Sequence, residues 1–283
     1  MTKERNIHFV NGFILKVIAI ILMTLDHVGI FLLTRENTAQ IGDIFRDFGR
    51  IALPLFLFLI VEGVRHTKHF GKYFLRLSIV AIIFLIGQLV IYYNFNNQIS
   101  DFYSPILDLL IVALTVYLLK RKDKFSFLAI LPICFSILSF VVVNIEQAND
   151  ITILWMPFYL RLPYSLLDIL LGVSFFYSSN LALLFLKANK NTENLVETKY
   201  LKWAEYIISA FAIIFFVLIF YVIYLTTGIS YWSDSSQAFA AFAFVPLLFY
   251  SGERGYNKKW FQYGAYIYTP LHLLIIYLIF SLI

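Results

Sequence analysis

The chain has 283 residues, 61% of them hydrophobic and 14% charged, with a formal net charge of +5. That balance excludes a soluble globular domain and a nucleic-acid binder, and a single cysteine, Cys134, excludes an internal disulfide. Apolar runs of about twenty residues, enough helix to cross a hydrocarbon core of roughly 30 Å, recur along the chain. The sequence therefore predicts an all-α polytopic membrane protein. Residues 1–283 read as one integral-membrane domain without an internal repeat.

In chain order the apolar runs predict nine spans: 11–33, 48–66, 73–93, 103–119, 126–145, 163–187, 203–226, 237–250 and 263–282. The first is too long for a cleaved signal peptide and lacks a small-residue cleavage site. The eighth is the shortest, and Cys134 falls in the fifth, where apolar packing accounts for it.

The connections alternate in charge. Lys3 and Arg5 precede the first span, with Lys16 near its cytoplasmic end, and Arg65, Lys68 and Lys72 follow the second, with Arg76 just inside the third. Lys120, Arg121, Lys122 and Lys124 follow the fourth, Lys187, Lys190, Lys199 and Lys202 the sixth, and Arg254, Lys258 and Lys259 the eighth. Segments 94–102 and 227–236 hold no Lys or Arg, and 146–162 holds only Arg161. By the positive-inside rule the N-terminus is cytoplasmic and the C-terminus outside. Loop 34–47 is the exception, an outer loop carrying Arg35 and Arg46, balanced locally by Glu36, Asp43 and Asp47. Segment 146–162, with Trp155, Pro157 and Tyr159, reads as an interfacial half-turn, and 188–202 as a polar cytoplasmic loop.

Ionisable residues stand at membrane depth, where an Asp costs roughly 2–3 kcal/mol on insertion scales and such groups mark function. Asp26 and His27 are adjacent in the first span, so their side chains diverge by about 100° and each needs a partner from elsewhere. Arg50, at the outer start of the second span, is the candidate partner for Asp26. His272 falls near the middle of the ninth span, within roughly 8–10 Å of the depth of His27 at 1.5 Å per residue. Glu62, Gln88, Asp108 and Asp168 also lie in spans. Pro54 is placed to kink the second span, and Glu62 is placed to pair with Arg65, Lys68 or Arg76. The turn Gly252-Glu253-Arg254-Gly255 brings backbone N–H groups and a guanidinium to the basic side, a phosphate-binding combination. His27, His272 and Asp26 lack the close ligand spacing of a metal motif, so no metal is expected.

These residues carry a resemblance that covers almost the whole chain. Leu25-Asp26-His27-Val28-Gly29, Gly49-Arg50-Ile51-Ala52-Leu53-Pro54-Leu55-Phe56, Glu62-Gly63, His66-Thr67 and Tyr73-Phe74-Leu75-Arg76-Leu77 come in order. Gly252-Glu253-Arg254-Gly255 and Pro270-Leu271-His272-Leu273-Leu274 complete the set. Together they resemble the TraX family, membrane proteins named for F-pilin acetylation. The tail Tyr268-Thr269-Pro270-Leu271-His272 also resembles the wider transmembrane acyltransferase group, including acyltransferase family 3.

The resemblance implies a plasma-membrane acetyltransferase that takes acetyl from cytoplasmic acetyl-CoA. The acceptor would be a peptide N-terminus, a glycan or a lipid-linked sugar at or beyond the membrane. The residues suit that chemistry, which needs a base or acyl carrier, an oxyanion partner and an anchor for a polyanionic coenzyme. His27 is the base or acyl carrier, Asp26 charges or orients the site, His272 handles a second proton or positions substrate, and Arg50 joins them. Arg254, Lys258, Arg65, Lys68, Lys72 and Arg76, with Glu62, form the expected coenzyme end. A proton-coupled transporter using Asp26 and His27 is the rival reading, and paired broken helices or repeat symmetry would mark it. A non-catalytic scaffold of a secretion or conjugation apparatus would need neither an acid nor an imidazole in the membrane.

Overall fold

The computed structural model describes residues 8–94, 105–149, 151, 153–162, 164–188, 199–227 and 235–282. Lys3, Arg5, Lys190, the side chain of Gln88 and most of the connections 94–102, 188–202 and 227–236 lie outside the described residues. Among the described residues the regular structure is helical, apart from one isolated bridge between Val10 and Tyr250.

Helix α1 (Gly12–Leu33) starts where the Asn11 side chain accepts a hydrogen bond from the Ile14 N–H at 3.0 Å, satisfying one orphan donor of the first turn. At its far end the chain turns over residues 34–38, held by the Thr38 hydroxyl donating to the Leu32 carbonyl at 2.8 Å. It then returns along α1 as helix α2 (Ala39–Gly49). The expected outer loop 34–47 is thus mostly helix. Two glycine contacts set the approach: a Cβ on Gly42 would lie 3.0 Å from the Gly29 carbonyl, and one on Gly49 only 2.3 Å from the Asp26 Cβ. Small residues at such a seam let two backbones close on each other. Ile41, Ile44 and Phe48 stay exposed on the outward side of α2, while Arg46 turns inward.

The helical run breaks at Arg50-Ile51 and resumes as α3 (Ala52–His66). Pro54 sits in the first turn of α3, where its missing N–H costs no helical bond. The expected mid-span kink is therefore a helix start. Helices α4 (Phe70–Asn94), α5 (Pro105–Lys120), α6 (Ile130–Asn149), α7 (Ser165–Ala188) and α8 (Lys199–Thr227) follow. A 3-10 stretch, Ser235–Ala243, leads into the five-residue α9 (Phe244–Leu248), and α10 (Lys259–Leu282) ends the described chain.

Six segments are long and apolar enough to cross a membrane: Gly12–Leu33, Phe70–Gly87, Lys124–Glu146, Ser165–Ala188, Tyr200–Thr226 and Lys259–Leu282. The other three of the nine expected spans are shorter helices. The run at 48–66 is split by the break before α3, that at 103–119 gives the 16-residue α5, and that at 237–250 is mostly 3-10 turns. Between α6 and α7, buried Arg161 donates to the Met156 carbonyl at 2.9 Å and to Glu146 at 2.7 Å, anchoring the half-turn. Trp155 and Tyr159 remain exposed on it, and Cys134 faces outward from α6 rather than packing inside.

The larger apolar core joins α1, α3, α5, α7 and α8 around Leu15, Phe58, Val112, Phe175 and Ile213. A smaller one joins α1, α4 and α10 around Phe31, Phe84 and Leu273. The Lys120 ammonium donates to the carbonyls of Val64 and Arg65 at 2.9 and 2.7 Å, so the C-termini of α3 and α5 meet. Where α1 begins, the N–H of Gly12 donates to the Glu253 carbonyl at 2.7 Å, which fixes the turn before α10 against it. Gly252 and Gly255 hold φ of +75° and +66°, and a Cβ there would meet the Tyr206 hydroxyl at 2.4 Å and Asn11 Oδ1 at 2.3 Å. Both strain and overlap therefore require glycine.

Gly49→Ala should force α1 and α2 apart at Asp26. The expected cost is about 1–3 kcal/mol of overpacking, read as a lower thermal midpoint of the purified protein in detergent. Gly264→Ala, where a Cβ meets nothing within 4 Å, should leave the midpoint unchanged or slightly raised.

Candidate functional site

Asp26 is the charged centre. It projects from α1 onto the seam with α2, and Arg46 and Arg50 each place a guanidinium nitrogen 3.7 Å from its Oδ1. The two arginines are four residues apart, one on the last turn of α2 and one at the break, so they share a face. Arg50 is 7% exposed and reaches further: its Nη1 donates to the Tyr164 hydroxyl at 2.9 Å and its Nε to the Ser236 hydroxyl at 3.3 Å. The break before α3, the start of α7 and the 3-10 stretch are thereby joined through one side chain.

His27 points the other way, as adjacency on a helix requires, and meets α10. His272 Nε2 lies 3.1 Å from His27 Nδ1, with the rings at 67°. His27 Nδ1 also lies 2.9 Å from the Met23 carbonyl, and His272 Nδ1 is 2.9 Å from the Tyr268 carbonyl. Carbonyls only accept, so both Nδ1 atoms carry hydrogens, and His272 Nε2 accepts from His27 Nδ1–H. This assignment leaves the lone pair of His27 on Nε2. Around the pair, the Tyr268 ring stacks on His272 at 5.1 Å, and its hydroxyl donates to Thr24 Oγ1 at 2.8 Å while Thr24 donates to the Ile20 carbonyl. Phe84 of α4 closes the side of His27 at 6.2 Å.

A cavity of about 710 Å³ runs between these groups and the basic end of the helices. Its wall includes Asp26, His27, Arg46, Arg50 and Tyr164, and at the basic end Lys16, Glu62, His66, Arg76 and Arg254. Arg76 and Arg254 are exposed cations, Arg76 lying 5.6 Å over the Tyr263 ring. Lys16 lies on the same face of α1 as His27, because eleven residues close three turns to within about 20°.

The other sequence candidates separate from this group. Arg65 donates to Glu62 at 3.0 Å, to Glu205, to the Phe175 carbonyl, to the Phe176 carbonyl at 2.6 Å and to Ser178 at 3.4 Å. Its guanidinium is a knot tying α3, α7 and α8, and Glu62 belongs to that knot, with His66 at 3.5 Å. Lys68, Lys72 and Lys258 are exposed and do not contribute to the cavity wall, Lys258 resting 5.9 Å from the Tyr256 ring.

Sequence reasoning missed Arg46, Tyr164 and Lys16 as parts of the site. The i,i+4 spacing of Arg46 and Arg50 and the eleven-residue spacing of Lys16 and His27 were the readable signs. Nothing local marks Tyr164, whose role follows from tertiary packing.

The fold and its centre define a polytopic helical membrane protein in which Asp26, Arg46, Arg50 and His27 line a cavity and His272 stands behind His27. The chain belongs to the TraX family: the family model described as TraX protein matches residues 11–280. Among curated relatives, a probable fimbrial assembly protein FimC, serogroup H1, of Dichelobacter nodosus is 42% identical over 80 residues, covering 28% of this chain and 32% of the relative. The uncharacterized protein RP591 of Rickettsia prowazekii (strain Madrid E) is 36% identical over 106 residues, 32% of this chain and 40% of the relative. These matches span between about a third and two-fifths of the relatives' own lengths. No solved structure matches the chain.

Arg65→Ala should cost about 3–5 kcal/mol, because it strands two part-buried carboxylates, and should sharply reduce the folded yield from membranes. Arg76→Ala and Arg254→Ala remove exposed cations and should leave yield and thermal midpoint near wild type. Size-exclusion profiles of the three variants in detergent check this.

Proposed function

We propose that the protein is a membrane-embedded acetyltransferase that moves an acetyl group from cytoplasmic acetyl-CoA to an acceptor amine or hydroxyl at or beyond the membrane. One observation carries the reading: a single cavity is lined both by cations at the basic end and by the Asp26–Arg46–Arg50 and His27 groups deeper in. Positive-inside bias assigns the basic end to the cytoplasm. Arg76, Arg254 and Lys16 would receive the coenzyme phosphates, and the pantetheine arm would reach inward. Lys16 and His27 stand about 16 Å apart along α1, within the span of a pantetheine.

In the transfer step His27 Nε2 takes the proton of the acceptor as its nitrogen or oxygen attacks the thioester carbonyl. Arg50 and Arg46 stabilise the developing oxyanion, and collapse breaks the carbon–sulfur bond. The proton held on His27 then returns to the departing thiolate. Asp26 keeps the two arginines turned toward the reaction centre, and His272 holds the His27 tautomer by accepting from its Nδ1–H. Family membership supports the chemistry, and the fimbrial assembly name of one relative favours a protein acceptor over a glycan or lipid-linked sugar.

The purified protein in detergent should bind acetyl-CoA and release free coenzyme A slowly even without an acceptor. His27→Ala should cut turnover by about 10²–10⁴-fold while leaving binding intact. Arg76→Ala or Arg254→Ala should raise KM for acetyl-CoA with little change in kcat. A folded wild-type protein that neither binds nor turns over acetyl-CoA overturns the reading and brings proton-coupled transport forward.

A further inference from the structure

The part-buried acids described above each have a cation. Asp26 has Arg46 and Arg50, Glu62 and Glu205 share Arg65, and Glu146 holds Arg161. Asp108 and Asp168 differ. They are 1% and 0% exposed, and no side chain among the described residues donates a hydrogen bond to their carboxyl oxygens. They occupy the first turns of α5 and α7, at the opposite end of those helices from Lys120 and Lys187. A helix N-terminus favours negative charge there but leaves the oxygens unmatched. Asp168 contributes to the wall of the same cavity as Asp26 and His27. Asp108 lies against the backbone of Tyr164 and Ser165, and the Tyr164 hydroxyl in turn accepts from Arg50. Buried carboxyl groups that no side-chain cation matches leave room for a bound cation to complete them.

We infer that Asp168 and Asp108 form a subsite for an ammonium group carried by the acceptor, distinct from the atom that receives the acetyl group. The inference rests on the acetyl-transfer reading. The donor set selects the ligand. No group of three His, Cys, Asp or Glu residues gathers among the described residues, and two carboxylates fall short of the four to eight ligands that zinc, magnesium or calcium takes. An ammonium presents three N–H donors and is completed by two carboxylates with little else. The neighbouring wall residues Ile106, Leu109 and Leu167 suit the carbon chain that carries it. An amine held this way stays protonated and is not a nucleophile, so it positions the acceptor while another group faces His27. The acceptor is then a molecule with two functional groups, such as a peptide with a lysine near its terminus.

Labelling of the full chain in detergent with dicyclohexylcarbodiimide, read by peptide mass, tests the subsite without acetyl-CoA. Asp168 should be labelled. n-Decylammonium at ten times its dissociation constant should leave about a tenth of that labelling, while n-decanol and sodium chloride leave it unchanged. Asp168→Asn should weaken the ammonium protection of Asp108, and the wild-type competition decides the matter if that variant fails to fold. Equal protection by decanol makes the region an apolar slot, equal protection by sodium makes it an inorganic cation site, and no labelling in folded wild type closes it off from the cavity. Each of these overturns the inference. A wild type that turns over acetyl-CoA without ammonium protection overturns the subsite alone, and ammonium protection without turnover overturns only the acetyl-transfer reading.

Discussion

One carboxylate held between two guanidinium groups organises this molecule. Asp26 sits within an apolar helix, where a charge survives only if something neutralises it close by. The neutralising groups, Arg46 and Arg50, reach it because α2 folds back on α1 across a seam that admits no side chain at Gly49. From Arg50 the same network extends to Tyr164 and Ser236. Removing Asp26 leaves two like charges facing each other in a low-dielectric interior, which is worse than never having placed them there. The α1–α2 hairpin, the break before α3 and the start of α7 are thus consequences of one ionic requirement.

The two ends of the cavity are built to different standards of rigidity. The deep end is locked: His27 and His272 each bond back to the carbonyl four residues earlier on their own helix, and then to each other. Such rings have their tautomer and orientation fixed before any ligand arrives, and a general base needs that preorganisation. The basic end holds its cations loosely, on exposed Arg76 and Arg254, while the neighbouring Arg65 is consumed in tying three helices together. Long exposed side chains suit a flexible polyanion that enters and leaves, and a part-buried arginine bonded to three helices does not.

Much of the centre was legible in the sequence because ionisable residues in an apolar run have few innocent explanations. Asp26, His27, Arg50 and His272 stood out by depth and spacing, including the divergence that sends Asp26 and His27 to different partners, while the family resemblance is what joined His272 to the pair. Residues 34–47 misled because their pattern is inverted. Ile41, Ile44 and Phe48 face outward while glycine and arginine face inward, so a helix lying against α1 reads as a charged loop. The run at 48–66 reads as one span for a related reason: hydropathy does not see the break at Arg50-Ile51, beside which Arg50 pairs with Asp26. The basic clusters were legible only as orientation. Position in the fold, not charge, distinguishes Arg65, a structural knot, from Arg76, a free-standing cation on the cavity wall.

The internal charges also bear on the choice between catalysis and transport. A transporter moves its charges between two exposures, so its intramembrane acids exchange partners during the cycle. Here Asp26 is flanked by two arginines, and Arg50 is anchored to hydroxyls on two further segments, a construction that resists exchange. A fixed positive pair beside a fixed imidazole matches a reaction in which negative charge appears and vanishes at one point while the protein stays still. The geometry of α1, α2 and α10 therefore favours a stationary centre over one whose charges exchange partners.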